Sequence, residues 1–133
     1  MMDHKRVTCA VMIRDGRVLL ARRSPGQKNA GLWEFPGGKV EKGESDAECL
    51  AREIREEFGV GGTVGAHVCD SHCVYEEYDL EITLCAYLFV PESEQFDLQV
   101  HDAVDWYDKE ALKTAALSPA DLPIAEAVRK LLK

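Results

Sequence analysis

No stretch of 18 apolar residues occurs in this 133-residue chain, which argues against a conventional membrane-spanning helix. Positive charge is scarce. The chain has 16 Lys and Arg against 24 Asp and Glu, giving a net charge of −8. Proteins that hold DNA or RNA chains without sequence preference depend on basic surface, so that class is disfavoured. A small nucleotide arriving with a divalent cation is not disfavoured, because a bound cation inverts the local field. There is no CxxC pair, and the 5 cysteines (positions 9, 49, 69, 73 and 85) are odd in number. Disulfides are therefore not expected. Cys9, Cys49 and Cys85 lie in apolar surroundings and read as small core residues. His67, Cys69, His72 and Cys73 cluster, but at a spacing that fits no common zinc site, and they read as ordinary strand or loop residues. The charged N-terminus lacks the long apolar stretch of a secretion signal, so a cytoplasmic location is expected. No repeat, low-complexity tract or dividing linker appears, and residues 1–133 read as one domain.

What the chain has in abundance is acid at fixed spacing. Gly38 to Val60 reads G-x5-E-x7-R-E-U-x-E-E-x-G-U, with U aliphatic. Ser45 to Glu48 has the form of a capping box, and Gly59 supplies the usual left-handed stop, which predicts a helix over Ser45–Phe58. Ala47, Leu50, Ala51, Ile54 and Phe58 form its apolar stripe. Glu53, Glu56 and Glu57 stand at i, i+3 and i+4 on another face. Like charges at that spacing oppose helix formation unless cations relieve them. Oxygen-only ligands suit Mg²⁺ or Mn²⁺, which also bind phosphate oxygens. Arg52 is expected to clamp Glu44 or Glu56 and fix the carboxylate geometry.

The segment resembles the signature box of the Nudix hydrolase superfamily, whose members cleave a nucleoside diphosphate linked to another group. Leu19-Leu20-Ala21-Arg22-Arg23, followed by Gly31-Leu32-Trp33-Glu34-Phe35-Pro36-Gly37-Gly38-Lys39, resembles the MutT branch, which acts on nucleoside triphosphates. Leu117-Ser118-Pro119-Ala120-Asp121-Leu122-Pro123 resembles the CTP pyrophosphohydrolase group within that branch. The resemblance implies an α/β/α sandwich with a mixed central sheet. It also implies Mg²⁺-dependent attack of water on a phosphoanhydride of CTP, dCTP or an oxidised nucleotide such as 8-oxo-dGTP, giving a nucleoside monophosphate and pyrophosphate. Glu53, Glu56 and Glu57, with the Gly37 carbonyl, would hold metal, and Glu44 would orient the box through Arg52. Arg23 and Lys39 match positions that contact phosphate, Phe35 one that packs on the base, and Asp121 one that reads the base edge. The expected partner is a free nucleotide, with no nucleic acid chain and no membrane, and the protein is a monomer or homodimer.

Other readings remain open at this level. Arg23 and Lys39 also fit as surface charge and Phe35 as plain core. Asp121 also fits as the fourth residue of a capping box begun by Ser118. Relatives carry Glu immediately before His in an E-H-x4-W pattern, and here that position is Val100, before His101. Either Asp102 substitutes after a loop shift, or the box acids act alone. A hydrolase for ADP-ribose or another nucleotide conjugate, and a non-catalytic nucleotide-sensing module, are the alternative functions.

The remaining pattern predicts strands over Arg6–Arg14, Arg17–Arg22, Thr63–Tyr75, Leu80–Val90 and Ala103–Tyr107, with Leu84–Val90 buried at the sheet centre. It also predicts an acidic turn over Glu76–Asp79 and a helical turn over Asp108–Leu112. A last helix is expected over Pro119–Leu132, with Ser118 as N-cap and a buried face including Leu122, Ile124, Ala125, Val128, Leu131 and Leu132. Two main helices interleaved with strands imply a sheet with one helix on each face.

Overall fold

The computed structural model describes residues 2–132. The chain forms β1 (Asp3–Val11), β2 (Ile13–Arg14), β3 (Arg17–Arg23), β4 (Trp33–Glu34), β5 (Gly37–Lys39), α1 (Asp46–Phe58), β6 (Gly62–Tyr75), β7 (Leu80–Pro91), β8 (His101–Tyr107), α2 (Lys109–Thr114) and α3 (Leu122–Leu131). The central sheet has the order β5-β1-β7-β6. It is mixed: β1 runs parallel to β7, while β5 and β6 are antiparallel to their neighbours. The single sheet inferred from the strand pattern is supplemented by a second, antiparallel one, in which β3 pairs with β2, β4 and β8. Met12 separates β1 from β2, so the expected Arg6–Arg14 strand crosses from one sheet to the other.

Period-2 alternation along β1 and β3 divides the apolar side chains between two cores. Ala10, Met12, Leu19 and Ala21 pack with Leu50, Ile54 and Phe58 of α1. Cys9, Val11, Val18 and Leu20 pack with Ile124, Ala125 and Val128 of α3. One helix thus covers each face, as expected for an α/β/α sandwich. Each large side chain fully buried this way contributes about 1.5–3 kcal/mol.

The α1 boundaries follow the expected chemistry. Ser45 accepts from the Glu48 N–H, the Glu48 carboxylate accepts from the Ser45 N–H, and Gly59 ends the helix at φ 70°. The stripe differs at its first member: Ala47 is exposed and Cys49 takes the buried place. Arg6 anchors the first turn to β1 through two hydrogen bonds to Asp46, at 2.8 and 2.6 Å.

The C-terminal segment departs more. Pro119–Asp121 is a 3₁₀ turn, and α3 begins only at Leu122. Ser118 makes no capping bond: the Asp121 N–H donates to the Ser118 carbonyl instead of its hydroxyl, the Ser118 N–H donates to the Trp33 carbonyl, and the Asp121 carboxyl is turned inward to Phe35. Leu122 and Leu131, expected on the buried face, are 53% and 46% exposed. The tight 3₁₀ turn shifts the helix phase, and the buried set becomes Ile124, Ala125 and Val128, with Leu132 just beyond the helix. Glu76–Tyr78 also forms a 3₁₀ turn. β7 lies inside the sheet as expected, but Val90 near its end is 69% exposed.

Substituting Gly59→Ala forces a Cβ into the left-handed region, 3.2 Å from the Asp97 Cβ. This change is expected to destabilise the protein by about 1–2 kcal/mol and lower Tm by several degrees in calorimetry, with no change in metal affinity.

Candidate active site

Arg52 organises the acidic helix. Its Nε and Nη2 donate to the two oxygens of Glu44 at 2.7 and 3.0 Å. Its Nη1 donates to Glu53 at 2.9 Å and to Glu56 at 3.1 Å. Nη2 also reaches the Lys39 carbonyl at 3.1 Å. The expected clamp on Glu44 or Glu56 therefore holds both, and Glu53 as well. The Arg52 guanidinium, aided by the Glu41 N–H, holds the Glu44 carboxyl down at about 2. Glu44 is thus an ionised partner of Arg52, as expected.

The three ridge acids differ in environment. The Glu56 side chain is 58% exposed and the Glu53 side chain 14%. Glu57 is partly buried, and its Oε1 is buried without a hydrogen-bond partner. Burial, then the hydrogen bond and charge of Glu53 and the charge of Glu34, push the Glu57 carboxyl well above the usual carboxylate range. An orphaned, proton-holding carboxyl beside a second carboxyl is a donor set that a divalent cation would complete by displacing the proton.

Backbone geometry supplies the rest. A Cβ on Gly38 would lie 2.2 Å from the Glu53 carboxyl carbon, so glycine alone lets that acid lie against β5. The Ala10 N–H donates to the Pro36 carbonyl and the Val40 N–H to the Arg6 carbonyl. By the alternation of an antiparallel ladder, Thr8–Gly38 is then a bonded pair, and the Gly37 carbonyl faces away from β1 at the sheet edge. The oxygens of Gly37, Glu53, Glu56 and Glu57 suit a hard divalent cation. Among the described residues, no group of three His, Cys, Asp or Glu is already gathered for metal, because Arg52 holds Glu53 and Glu56 to itself. His67 pairs with Asp70, and His72 with Glu81.

A cavity of about 210 Å³ opens beside the ridge. Arg23, Glu34, Gly37 and Gly38 line it with Phe35, Ser118 and Asp121, and Leu80, Ile82 and Leu84 supply apolar wall. Four of the residues singled out in the sequence (Arg23, Phe35, Gly37 and Asp121) thus meet at one cavity. Lys39 does not line it: its side chain is exposed and its carbonyl serves Arg52. Phe35 belongs both to the core and to the cavity wall. Asp121 is 4% exposed, and its Oδ1 accepts from the Phe35 N–H at 2.9 Å. Burial, with the Glu34 charge adding, pushes its carboxyl well above the ordinary range.

Asp102 does not replace the acid absent at position 100. It pairs with Arg22 at 2.8 Å, away from the ridge. Sequence reasoning missed Glu34, Tyr75 and Tyr78 as lining residues. Strand alternation gives no signal for Glu34, since it would send that side chain to the face opposite Phe35.

Comparisons with known proteins show the family. The chain is 40% identical over 126 residues to the CTP pyrophosphohydrolase of Escherichia coli K12, covering 94% of this chain and 91% of that one. It is 32% identical over 140 residues to the 8-oxo-dGTP diphosphatase of Haemophilus influenzae, covering 98% and 95%. Among solved structures, the E. coli ORF135 protein superposes with a TM-score of 0.81 at 39% identity, over 98% of this chain and 91% of that one. The MutT NUDIX hydrolase of Burkholderia pseudomallei gives 0.82 at 27% identity, over 95% and 98%. With the NUDIX domain model matching residues 2–131, this chain belongs to the NUDIX family of hydrolases.

Proposed function

We propose that the protein hydrolyses nucleoside triphosphates to a nucleoside monophosphate and pyrophosphate, with CTP, dCTP or an oxidised deoxynucleotide as substrate. One observation carries this reading. A single cavity is lined by the Gly37-Gly38 backbone, against which the Glu53 carboxyl lies, and by Phe35 with the buried carboxyl of Asp121 beside it. That layout suits a nucleotide lying lengthwise, its phosphates on the ridge and its base against Phe35.

Phosphoanhydride cleavage asks the protein to hold the phosphates, offset their charge and align water for in-line attack. Glu53, Glu56, Glu57 and the Gly37 carbonyl would hold Mg²⁺, with Mn²⁺ able to replace it. When bound, the ion neutralises phosphate charge and lowers the pKa of its water. Arg23 lines the cavity wall and would contact phosphate. Arg52 offsets the repulsion among Glu44, Glu53 and Glu56 and aligns them. Water adds at the β-phosphorus and gives up a proton, the P–O bond from that phosphorus to the α–β bridging oxygen breaks, and the nucleoside monophosphate leaves with the electron pair while pyrophosphate carries the water oxygen.

Base selection falls to Asp121. Burial favours its protonated form, which offers an O–H donor beside an oxygen acceptor. That pattern complements the N3 and amino edge of cytosine, and also the O6 and N7–H edge of an 8-oxo-purine. Both substrate classes therefore fit one pocket chemistry. Substrates of this kind belong to the soluble nucleotide pool, which supports a cytoplasmic location. No helix of the described residues is long and apolar enough to cross a membrane.

Pyrophosphate release across CTP, dCTP, 8-oxo-dGTP, dATP and ADP-ribose, with and without Mg²⁺, tests the reading. Mg²⁺-dependent release from one of the first three, at the highest kcat/KM, is the expected result. Release of AMP from ADP-ribose with triphosphates untouched would overturn it. Substituting Glu57→Gln should lower kcat/KM more than the 10–100-fold typical of losing a ligand's supporting partner, and Arg52→Gln should fall within that range. Asp121→Asn has a stability signature. The folded pKa is raised, so the unfolded state ionises first as pH climbs past about 4 and stability is lost from there upward. A neutral amide at this position carries no such penalty. The variant should therefore melt higher than wild type at pH 7, with the gap closing towards pH 4.

A further inference from the structure

Glu34 is held by two partners from different strands. One oxygen accepts from Arg23 Nη1 at 2.8 Å and the other from His101 Nε2 at 2.8 Å. Its side chain is 15% exposed and that of His101 is 2% exposed. The imidazole packs against Phe58, with ring centroids 5.4 Å apart, and its Nδ1 is buried without a partner. A carboxylate only accepts, so the shared hydrogen sits on Nε2, and Glu34 is the polar partner of that ring among the described residues.

The arrangement depends on an irregularity in the second sheet. β3 and β8 pair in register from Val18–Tyr107 to Arg22–Ala103, and then Arg23 pairs with His101, skipping Asp102. Such a bulge re-aims the side chains beside it. Asp102 turns outward to Arg22, and His101 turns inward to Glu34. A regular ladder would place Asp102 opposite Arg23, next to the Glu34 carboxylate. Arg23 is fixed a second time, its Nε donating to the Lys28 carbonyl at 2.5 Å. The guanidinium has five N–H groups, and two are occupied. The others remain for the cavity that Arg23 lines.

We infer that Glu34, braced by the buried His101, is a positioning residue that sets Arg23 in the cavity wall as the phosphate clamp before substrate arrives. This rests on the triphosphate reading above. A long, flexible side chain ordered in advance spares that ordering on binding, so the brace acts on substrate affinity. Glu34 itself does not meet the reacting phosphorus.

The test is a double-mutant cycle on pyrophosphate release from the preferred triphosphate. Glu34→Gln keeps shape and removes the charge. It is expected to raise KM about tenfold with kcat within twofold of wild type, the pattern of lost ground-state binding. Arg23→Met should raise KM at least as much, and the double variant should be no worse than Arg23→Met alone. His101→Phe, which keeps the ring against Phe58 and deletes the donor, should raise KM in the same KM-selective way. Mn²⁺ affinity by electron paramagnetic resonance should not weaken in Glu34→Gln, because Glu34 reaches the ridge only through its charge at Glu57, and this separates the brace from the metal ligands. Additive effects in the cycle, a fall in kcat at constant KM, or weakened Mn²⁺ binding would each overturn the inference while leaving the hydrolase reading intact. Absence of pyrophosphate release by the wild-type protein from every triphosphate would overturn both.

Discussion

One guanidinium carries the acidic site. Arg52 touches Glu44, Glu53, Glu56 and the Lys39 carbonyl, tying the loop before α1, the helix itself and the edge strand β5 into one unit. Without it, three carboxylates on neighbouring turns would repel, and the loop that carries Glu44 would lose its anchor. A partly buried ion network of this kind adds little net stability. Its value is geometric, because it holds acids at a sheet edge where glycine backbone comes close. Glu57 lies outside the grip of Arg52, and its buried, unpartnered oxygen is where the site remains electrostatically incomplete.

The second sheet brings the other half of the cavity to that ridge. β3 ends in Arg23, β4 carries Glu34 and leads into Phe35, and β8 begins with His101. The β3–β8 bulge separates the two charged pairs, one facing solvent and one facing the cavity. From the opposite face of the molecule, the 3₁₀ turn before α3 delivers Asp121 to the Phe35 amide. Three segments far apart in sequence thus meet around one space, joined by single hydrogen bonds of ordinary length.

The two Ser-containing cap sequences show how far local reading reaches. Ser45-Asp46-Ala47-Glu48 forms the reciprocal cap, since Glu48 faces solvent and has no competing partner. Ser118-Pro119-Ala120-Asp121 has the same form and makes none. Asp121 is drawn to a buried N–H from a residue 86 positions away, and the Ser118 N–H is taken by the Trp33 carbonyl, so both halves of the cap are spent on partners from another segment. Ala47, Leu122 and Leu131 fit the helical period but lie at the helix margins, where packing decides which side is covered. The absent acid at position 100 was legible in the sequence. The answer to it was not, because the fate of Asp102 depends on a one-residue register shift between strands that no local pattern encodes.

The sequence by itself determined the acid helix, its two ends and its family. Those features rest on residues within a few positions of one another, where spacing converts directly into a shared face. Only the tertiary structure decided that Arg52 serves three acids at once, that Asp121 reads inward, that Lys39 stands outside the cavity, and that Glu34 links Arg23 to His101. Each of these turns on which of several possible partners a charged group finds in space, and that choice is made by burial and strand register.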